Sequence, residues 1–456
     1  ACLGARSGAR GALSVMVERL IDLSARRRGI VFLVVGLMLV WGIWAIRATP
    51  LDALPDLSDT QVIVFTEWMG RSPNLVEDQV TYPIVTTFLA APRVKVVRGF
   101  TMFGMSFVYI VFEDGTDIYW ARSRVLENLV KLQGKLPPGV APQLGPDATG
   151  LGWVFEYALV DDTGQHDLQQ LRTFQDWYLR YWISAVPGVA EVASVGGYEK
   201  QYQIELDPVR LQAYGVSIAD IAAAVRMSNG DVGGRVVELA EHEYAIRGRG
   251  YVQSVDDLAS IVATTDSAGT PVTLGDLANI QVGGNIRRGL AELDGLGETA
   301  GAIVVMRFGE NALDVIERVK AKLEEIKPAL PPGVRIVTTY DRSDLIHASV
   351  RTLTENLVQV MIIVCLVVVL FLFHVRSALV PAITLPIAVV LAFIPMAYMG
   401  ITTNIMSLAG IIIAIGDMVD AAVVLVENAH KRLERAGPDD DRTEIVIDSA
   451  KELGPP

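Results

Sequence analysis

Four stretches of the chain are almost wholly apolar: 29–46 (GIVFLVVGLMLVWGIWAI), 355–373, 378–401 and 405–428. Each is long enough, as a helix, to cross a hydrocarbon layer of ~30 Å. The third contains Pro381, Pro386 and Pro395. Neighbouring helices can satisfy the backbone groups that proline frees. Residues 47–354 follow a different pattern, in which short β-branched runs alternate with helical periodicity. DTQVIVFTEW reads as a strand, and SPNLVEDQVTYPIVTTFLAAP as a helix opened by a serine cap. VKVVRGF and MSFVYIVFEDG read as a strand pair, and TDIYWARSRVLENLVKLQGKLPPGV as a helix closed by proline and glycine. A similar order restarts with WVFEYALVDD, the helix DLQQLRTFQDWYLRYWISAVPGV and the strand AEVASVGG. A helix at Ser217–Met227 and a hairpin around VVELAEHEYAIRGRGYV come next. The strand GAIVVMRF, the helix NALDVIERVKAKLEEIKPAL and the strand VRIVTTYD close the region. This order predicts at least two ferredoxin-like β-α-β units with a third module inserted. The expected fold class is an α-helical transmembrane bundle plus an α+β domain.

Basic residues orient the apolar stretches. Arg26, Arg27 and Arg28 precede the first, Arg376 lies between the second and third, and Lys431, Arg432 and Arg435 follow the fourth. With four crossings these sites fall on one side, the cytoplasmic side by the positive-inside rule. The segment between the first and second crossings is then outside, in the periplasm of a Gram-negative cell, with the chain in the inner membrane. A cleaved signal peptide does not fit, because RATPLDALPDLSD follows the first stretch in place of a small-residue cleavage site. Residues 1–15, rich in Ala, Gly and Arg, read as a transit peptide or as sequence upstream of a start at Met16. With the abrupt end at KELGPP, they suggest a fragment.

Composition narrows the function classes. The chain is 51% hydrophobic with a net charge of −13, which argues against a nucleic-acid partner. Two cysteines make neither a disulfide framework nor a thiolate metal site, and the five histidines have no metal-ligand spacing. No GxxxxGK[ST] loop is present to support ATP as the driving force.

Inside the fourth stretch lie Asp417, Asp420 and Glu427. A charged side chain at mid-bilayer costs about 2.5–3.5 kcal/mol on insertion scales. Asp420 and Glu427 are roughly two helical turns apart and share a face, with Asp417 about 60° around from Asp420. One stripe of acids in a greasy helix suits a proton relay, since a carboxyl withdrawn from water takes up a proton nearer neutral pH. The alternative is a set of acids hydrogen-bonded inside a helix bundle, or, for Glu427, snorkelling to the cytoplasmic end.

At this point a family resemblance emerges, carried by TPLDALPDLSDTQV (49–62), VRGF (97–100), FEDGTDIYWARSRVLE (112–127), LGPDATGLGW (144–153), EVASVGG (191–197), ELAEHEY (238–244), TTYDRSDLI (338–346), HVRSALV (374–380) and VDAAVVLVENAHKRLE (419–434). The chain resembles the heavy-metal efflux branch of the resistance–nodulation–division transporters, copper/silver exporter type, from Met16 onward. The resemblance implies a cytoplasmic segment at 1–28 and transmembrane spans at 29–46, 355–373, 378–401 and 405–428. It implies a first pore subdomain at 51–149, a second at 150–195 plus 288–345, and a docking subdomain at 196–287. A cytoplasmic linker would occupy 429–456. It further implies a homotrimer that works with a periplasmic adaptor and an outer-membrane channel, no tightly bound cofactor, and Cu(I) or Ag(I) as cargo.

The resemblance also assigns residues. Asp420 falls on the proton-coupling aspartate. Asp417 stands where a small residue is usual, either as a second relay group or as a solvated neighbour. Ala414 stands where divalent-cation exporters carry another acid, which favours the copper/silver type over the zinc/cobalt/nickel type. Met406 and Met418 match positions of a methionine relay whose soft thioethers suit Cu(I), while Leu425 interrupts it. Simple packing is the other reading of both methionines, and strand packing is the reading of Met102 and Met105. Arg98 is either a cleft-lining charge or a strand-end structural arginine. The competing functions are a divalent-cation or multidrug exporter and a non-transporting membrane scaffold.

Overall fold

The computed structural model describes residues 17–265, 269–287, 289–372, 375–437 and 440–453. Cα partners and side-chain contacts divide it into two β-α-β-β-α-β units, an inserted module and a bundle of long helices. The first long helix, α1 (Arg28–Ala48), leaves the bundle at Thr49.

The first unit contains β1 (Gln61–Glu67), the helical segment α2 (Pro73–Val76, Glu77–Thr81 and Tyr82–Leu89), β2 (Val94–Met102), β3 (Met105–Phe112), α3 (Ile118–Val130) and β4 (Gln143–Leu144). Its sheet runs β2-β3-β1-β4 with antiparallel neighbours. The alternation of β1 buries Val62 and Val64 against Ile84 and Phe88 of α2 and Val125 of α3. Each such side chain contributes about 1.5–3 kcal/mol on burial. Ser72 occupies the cap position of α2 but its hydroxyl makes no cap hydrogen bond there; Pro73 at the first helical position sets the chain direction instead.

The second unit contains β5 (Trp153–Asp161), the helical segment α4 (Leu168–Phe174, Gln175–Leu179 and Arg180–Ser184), β6 (Val189–Gly196), and later β13 (Ala300–Met306), α9 (Ala312–Ile326) and β14 (Val334–Asp341). Its sheet runs β14-β5-β13-β6. Counting strands within each unit, both sheets have the order 4-1-3-2, so the two units share one topology. Val315, Ile316 and Val319 of α9 and Leu179 and Ile183 of α4 are all fully buried on this sheet.

Between β6 and β13 the chain makes a separate module with its own small core around Leu211, Ile221, Leu258, Leu274 and Leu277. It contains β7 (Lys200–Leu206), α5 (Pro208–Tyr214), α6 (Ile218–Ser228), β8 (Val232–Leu239), β9 (His242–Gly248), α7 (Val255–Ala259), β10 (Val262–Thr265), β11 (Pro271–Thr273), α8 (Leu274–Leu277) and β12 (Ala278–Gly284). Antiparallel β7 and β12 carry the chain out and back. The β8–β9 hairpin is exposed along its whole length.

Strand β14 passes directly into α10 (Arg342–Leu372), which is followed by α11 (Val375–Met399), α12 (Ile405–Arg435) and α13 (Arg442–Leu453). Among the described residues, three helices are long and apolar enough to cross a membrane: α1, α11 over Ala382–Met399, and α12. The expected second crossing, 355–373, falls on the end of α10. Its residue 373 and several of its side chains lie outside the described residues, as do residues 1–16 and the side chain of Arg376. Helix α10 starts well before the apolar stretch because its polar first turns pack on the second unit, burying Ile346.

Candidate functional site

Helix α12 begins with a capping box. The Asn404 side chain accepts hydrogen bonds from Met406 N (2.9 Å) and Ser407 N (3.0 Å), and Asn404 N donates to Ser407 Oγ (2.9 Å). Leu408, Ile411 and Ile415 then recur at helical spacing. Leu408 and Ile411 pack against a cluster of Ala45 from α1 with Phe393 and Met396 from α11, and Ile415 is fully buried. Asp420 and Asp417 lie roughly 140° and 200° around the axis from Ile415, on the opposite face. Both are exposed in this chain, as is Met406, which shares that face at 65% exposure.

The acids predicted from the sequence therefore form one stripe that points away from the contact of α12 with α1 and α11. Glu427 continues the stripe toward the basic end, where its Oε1 lies 2.5 Å from Lys431 Nζ. Met418 is half-buried toward α12's packed side, about 120° from Met406 and ~18 Å along the axis, so the two thioethers are not brought together.

The other candidates lie in the first β unit. Arg98 is exposed in mid-strand on β2, opposite Tyr109 of β3, so it is not a strand-end arginine. Met102 and Met105 are paired across the β2–β3 turn; Met102 is 51% exposed, so the packing expected of both applies only to Met105. Among the described residues, no three His, Cys, Asp or Glu side chains are grouped so as to hold a metal ion.

Two polar residues that periodicity did not single out sit where the long helices meet the second unit. Arg342, the first residue of α10, is 2% exposed. Its Nη2 lies 2.9 Å from Asp52 Oδ1 without hydrogen-bond alignment, and its Nη1 donates to the carbonyl of Leu151. Burial pushes the Asp52 carboxyl up from its ordinary range, opposed by the Arg342 charge and by a hydrogen bond from Ala53 N. Both residues fall within the motifs TPLDALPD and TTYDRSDLI, but a single charge in a loop or at a strand end carries no periodic signal.

The AcrB/AcrD/AcrF family profile matches residues 20–456. The chain is 53% identical over 448 residues to the cation efflux system protein SilA of Salmonella typhimurium, and equally so to the cation efflux system protein CusA of Escherichia coli K12. In each case the match covers 96% of this chain and 43% of the relative. It is 35% identical over 428 residues to the cobalt-zinc-cadmium resistance protein CzcA of Cupriavidus metallidurans, covering 92% of this chain and 40% of that protein. A crystal structure of a heavy metal efflux pump superposes with a TM-score of 0.83 at 34% identity, over 94% of this chain and 42% of the pump. The chain thus spans less than half the length of these relatives. The shared sequence runs from the first apolar helix through the acid-bearing α12, and on it the chain belongs to the AcrB/AcrD/AcrF family, in the heavy-metal efflux branch of the resistance–nodulation–division transporters.

Proposed function

We propose that the protein containing this chain exports heavy-metal cations, Cu(I) or Ag(I), across the inner membrane of a Gram-negative cell, driven by proton entry along α12. The observation that carries this reading is the acidic stripe of Asp417, Asp420 and Glu427 on the face of an apolar helix opposite its packed side. In a bilayer such acids are tolerated against protein or a water-filled path rather than against lipid. The exposed face of α12 therefore calls for a protein cover, and the relatives have more than half their length beyond what this chain spans. Asp420 is central on the stripe and takes the proton-carrying role. Glu427, tied to Lys431, passes protons to the cytoplasmic end, and Asp417 is a flanking acid. Met406 on the same face and Met418 toward the packed side of the same helix are thioether contacts for a soft cation in transit. The adjoining β units form a periplasmic pore, with Arg98 in its cleft. The inserted module, with its projecting hairpin, docks subunits of a homotrimer that engages an adaptor and an outer-membrane channel.

The identity to SilA and CusA supports monovalent soft cations. The relation to CzcA makes Zn(II) and Co(II) the alternative cargo. The test uses the whole protein in vesicles loaded with a pH-sensitive dye and challenged with Ag(I), Cu(I) or Zn(II). Asp420→Asn preserves size and removes titration. It should abolish cation-dependent proton entry at normal protein levels, while Asp417→Asn should have a smaller effect. Wild-type rates in Asp420→Asn would remove the relay assignment, and a response to Zn(II) alone would transfer the cargo to the divalent class.

A further inference from the structure

Residues 50–53 leave α1 as an extended strip lying beside the turn between α11 and α12. Thr403 N donates to Pro50 O (2.9 Å), Asp52 N to Thr403 O (3.0 Å), and Ile405 N to Ala53 O (3.2 Å). Leu51 and Thr403 pair as a parallel bridge. The strip is therefore hydrogen-bonded to Thr403 and Ile405, on either side of the cap of the acid-bearing helix. From the same strip the Asp52 carboxylate faces Arg342, and Arg342 also holds the Leu151 carbonyl just ahead of β5. Arg342 follows β14 without a linker. The residue before it, Asp341, accepts from Ser343 Oγ (2.6 Å) and pairs with Lys320 of α9. One continuous set of bonded contacts thus runs from the cap of α12, through the strip and the Asp52–Arg342 pair, into the sheet and helix of the second unit.

Two features suit this path to motion as well as to support. The 2.9 Å approach of Arg342 Nη2 to Asp52 lacks hydrogen-bond alignment, so the pair can realign without losing its charge contact. A cleft of ≈ 660 Å³ opens beside the strip, lined by Trp44, Asp52, Asp56, Glu310 and Thr402 among others, and gives the strip room to shift. Asp420 is ~24 Å along α12 from Asn404, and a rigid helix carries a displacement over that distance.

We propose that the Asp52–Arg342 pair is the joint that passes displacement of α12 to the β units, with Arg342 as a positioning residue for transport. This rests on the proton-driven export reading. The test uses the whole protein in vesicles, measuring Ag(I) movement and Ag(I)-stimulated proton entry together, with Ag(I) binding and folded-trimer content measured in detergent. Arg342→Met and Asp52→Asn should each lower coupled Ag(I) transport about tenfold, within the usual range of coupling between sites. Ag(I) binding and trimer content should stay at wild-type levels, and Arg342→Lys, which keeps the charge, should restore most of the transport. Wild-type coupling in Arg342→Met overturns the proposal. So does a loss of transport matched by loss of folded trimer, because the pair would then be a structural staple. Failure of Arg342→Lys to rescue does the same. If wild-type vesicles move no Ag(I), the export reading falls and the joint with it; if they do and Asp420→Asn stops it, only the joint is on trial.

Discussion

Asp161 shows how one side chain orders a turn. Its carboxylate accepts hydrogen bonds from Thr163 Oγ1 (2.6 Å), Thr163 N (2.9 Å) and His166 N (2.7 Å). The Thr163 hydroxyl is the largest influence, and together the donors hold the carboxyl at about 2, below its ordinary 3.8. A depressed carboxylate contributes order above its unfolded value and loses it as pH falls through the folded one. Amide exchange at Thr163 and His166 should therefore accelerate as pH falls from about 4 to about 2, relative to the intrinsic rate. In Asp161→Asn this extra pH dependence should disappear; its persistence would assign the ordering to another group. Buried polar residues follow a different logic. The Tyr157 hydroxyl donates to Gln175 Oε1 (2.8 Å) inside the second unit, and burial holds the phenol well above its usual range. Thr81 makes the corresponding contact in the first unit, donating to Ser106 Oγ (2.8 Å). Satisfied pairs of this kind are tolerated in a core, whereas single ones are costly.

Thr81 and Gln175 also mark the helical segments that hold them. In α2 and α4 alike a five-residue π turn interrupts the α-helix, at Glu77–Thr81 and Gln175–Leu179. The wider turn directs the buried polar residue onto the sheet. Hydrophobic periodicity predicts an uninterrupted helix at both places, because buried positions four apart, such as Val76, Val80, Ile84 and Phe88, read as the ordinary i, i+4 spacing of an α-helix. At α12 the local signal is stronger. Asn404 is 4% exposed and closes the capping box, and it also lies next to the strip that holds Asp52. Asn404→Ala should cost about 0.5–2 kcal/mol, as cap losses do. It should lower the melting temperature of the detergent-solubilised protein and raise amide exchange at Met406 and Ser407. An unchanged melting temperature with unchanged exchange would show that tertiary contacts alone hold the turn.

For the whole molecule, the charges at one end of the helices agree with one another. Lys451 of α13 lies 2.9 Å from Asp22, Arg26 lies 2.8 Å from Glu444, and Arg432 pairs with Glu452. These pairs are exposed or half-exposed and individually worth little, but they place the basic residues that flank α1 and α12 at a common end. The β units leave from the opposite end, through the strip at 50–53 and through β14 into α10. A reporter active only outside the inner membrane should work when fused after Asp162, and one active only in the cytoplasm when fused after Arg435. The reverse pattern would invert the proposed orientation and remove the basis for placing Glu427 at the exit of the relay.

The apolar stretches, the strand and helix order and the acids of α12 were legible in the sequence because each rests on local spacing. Hydrophobic runs, period-two strands and a stripe of carboxyls every few residues depend only on backbone geometry. Local spacing also put Asp417, Asp420 and Glu427 on one stripe, but which way that stripe faces was decided only by the packing of Leu408 and Ile411 onto α1 and α11 and by the burial of Ile415. The matching 4-1-3-2 sheets, the second of them split by the inserted module, required pairing between strands far apart in the chain. The joint at Asp52 and Arg342 was likewise beyond sequence pattern. Its partners are nearly the length of the extramembrane region apart, and a buried charge gains its partner only when distant segments fold against each other and exclude water.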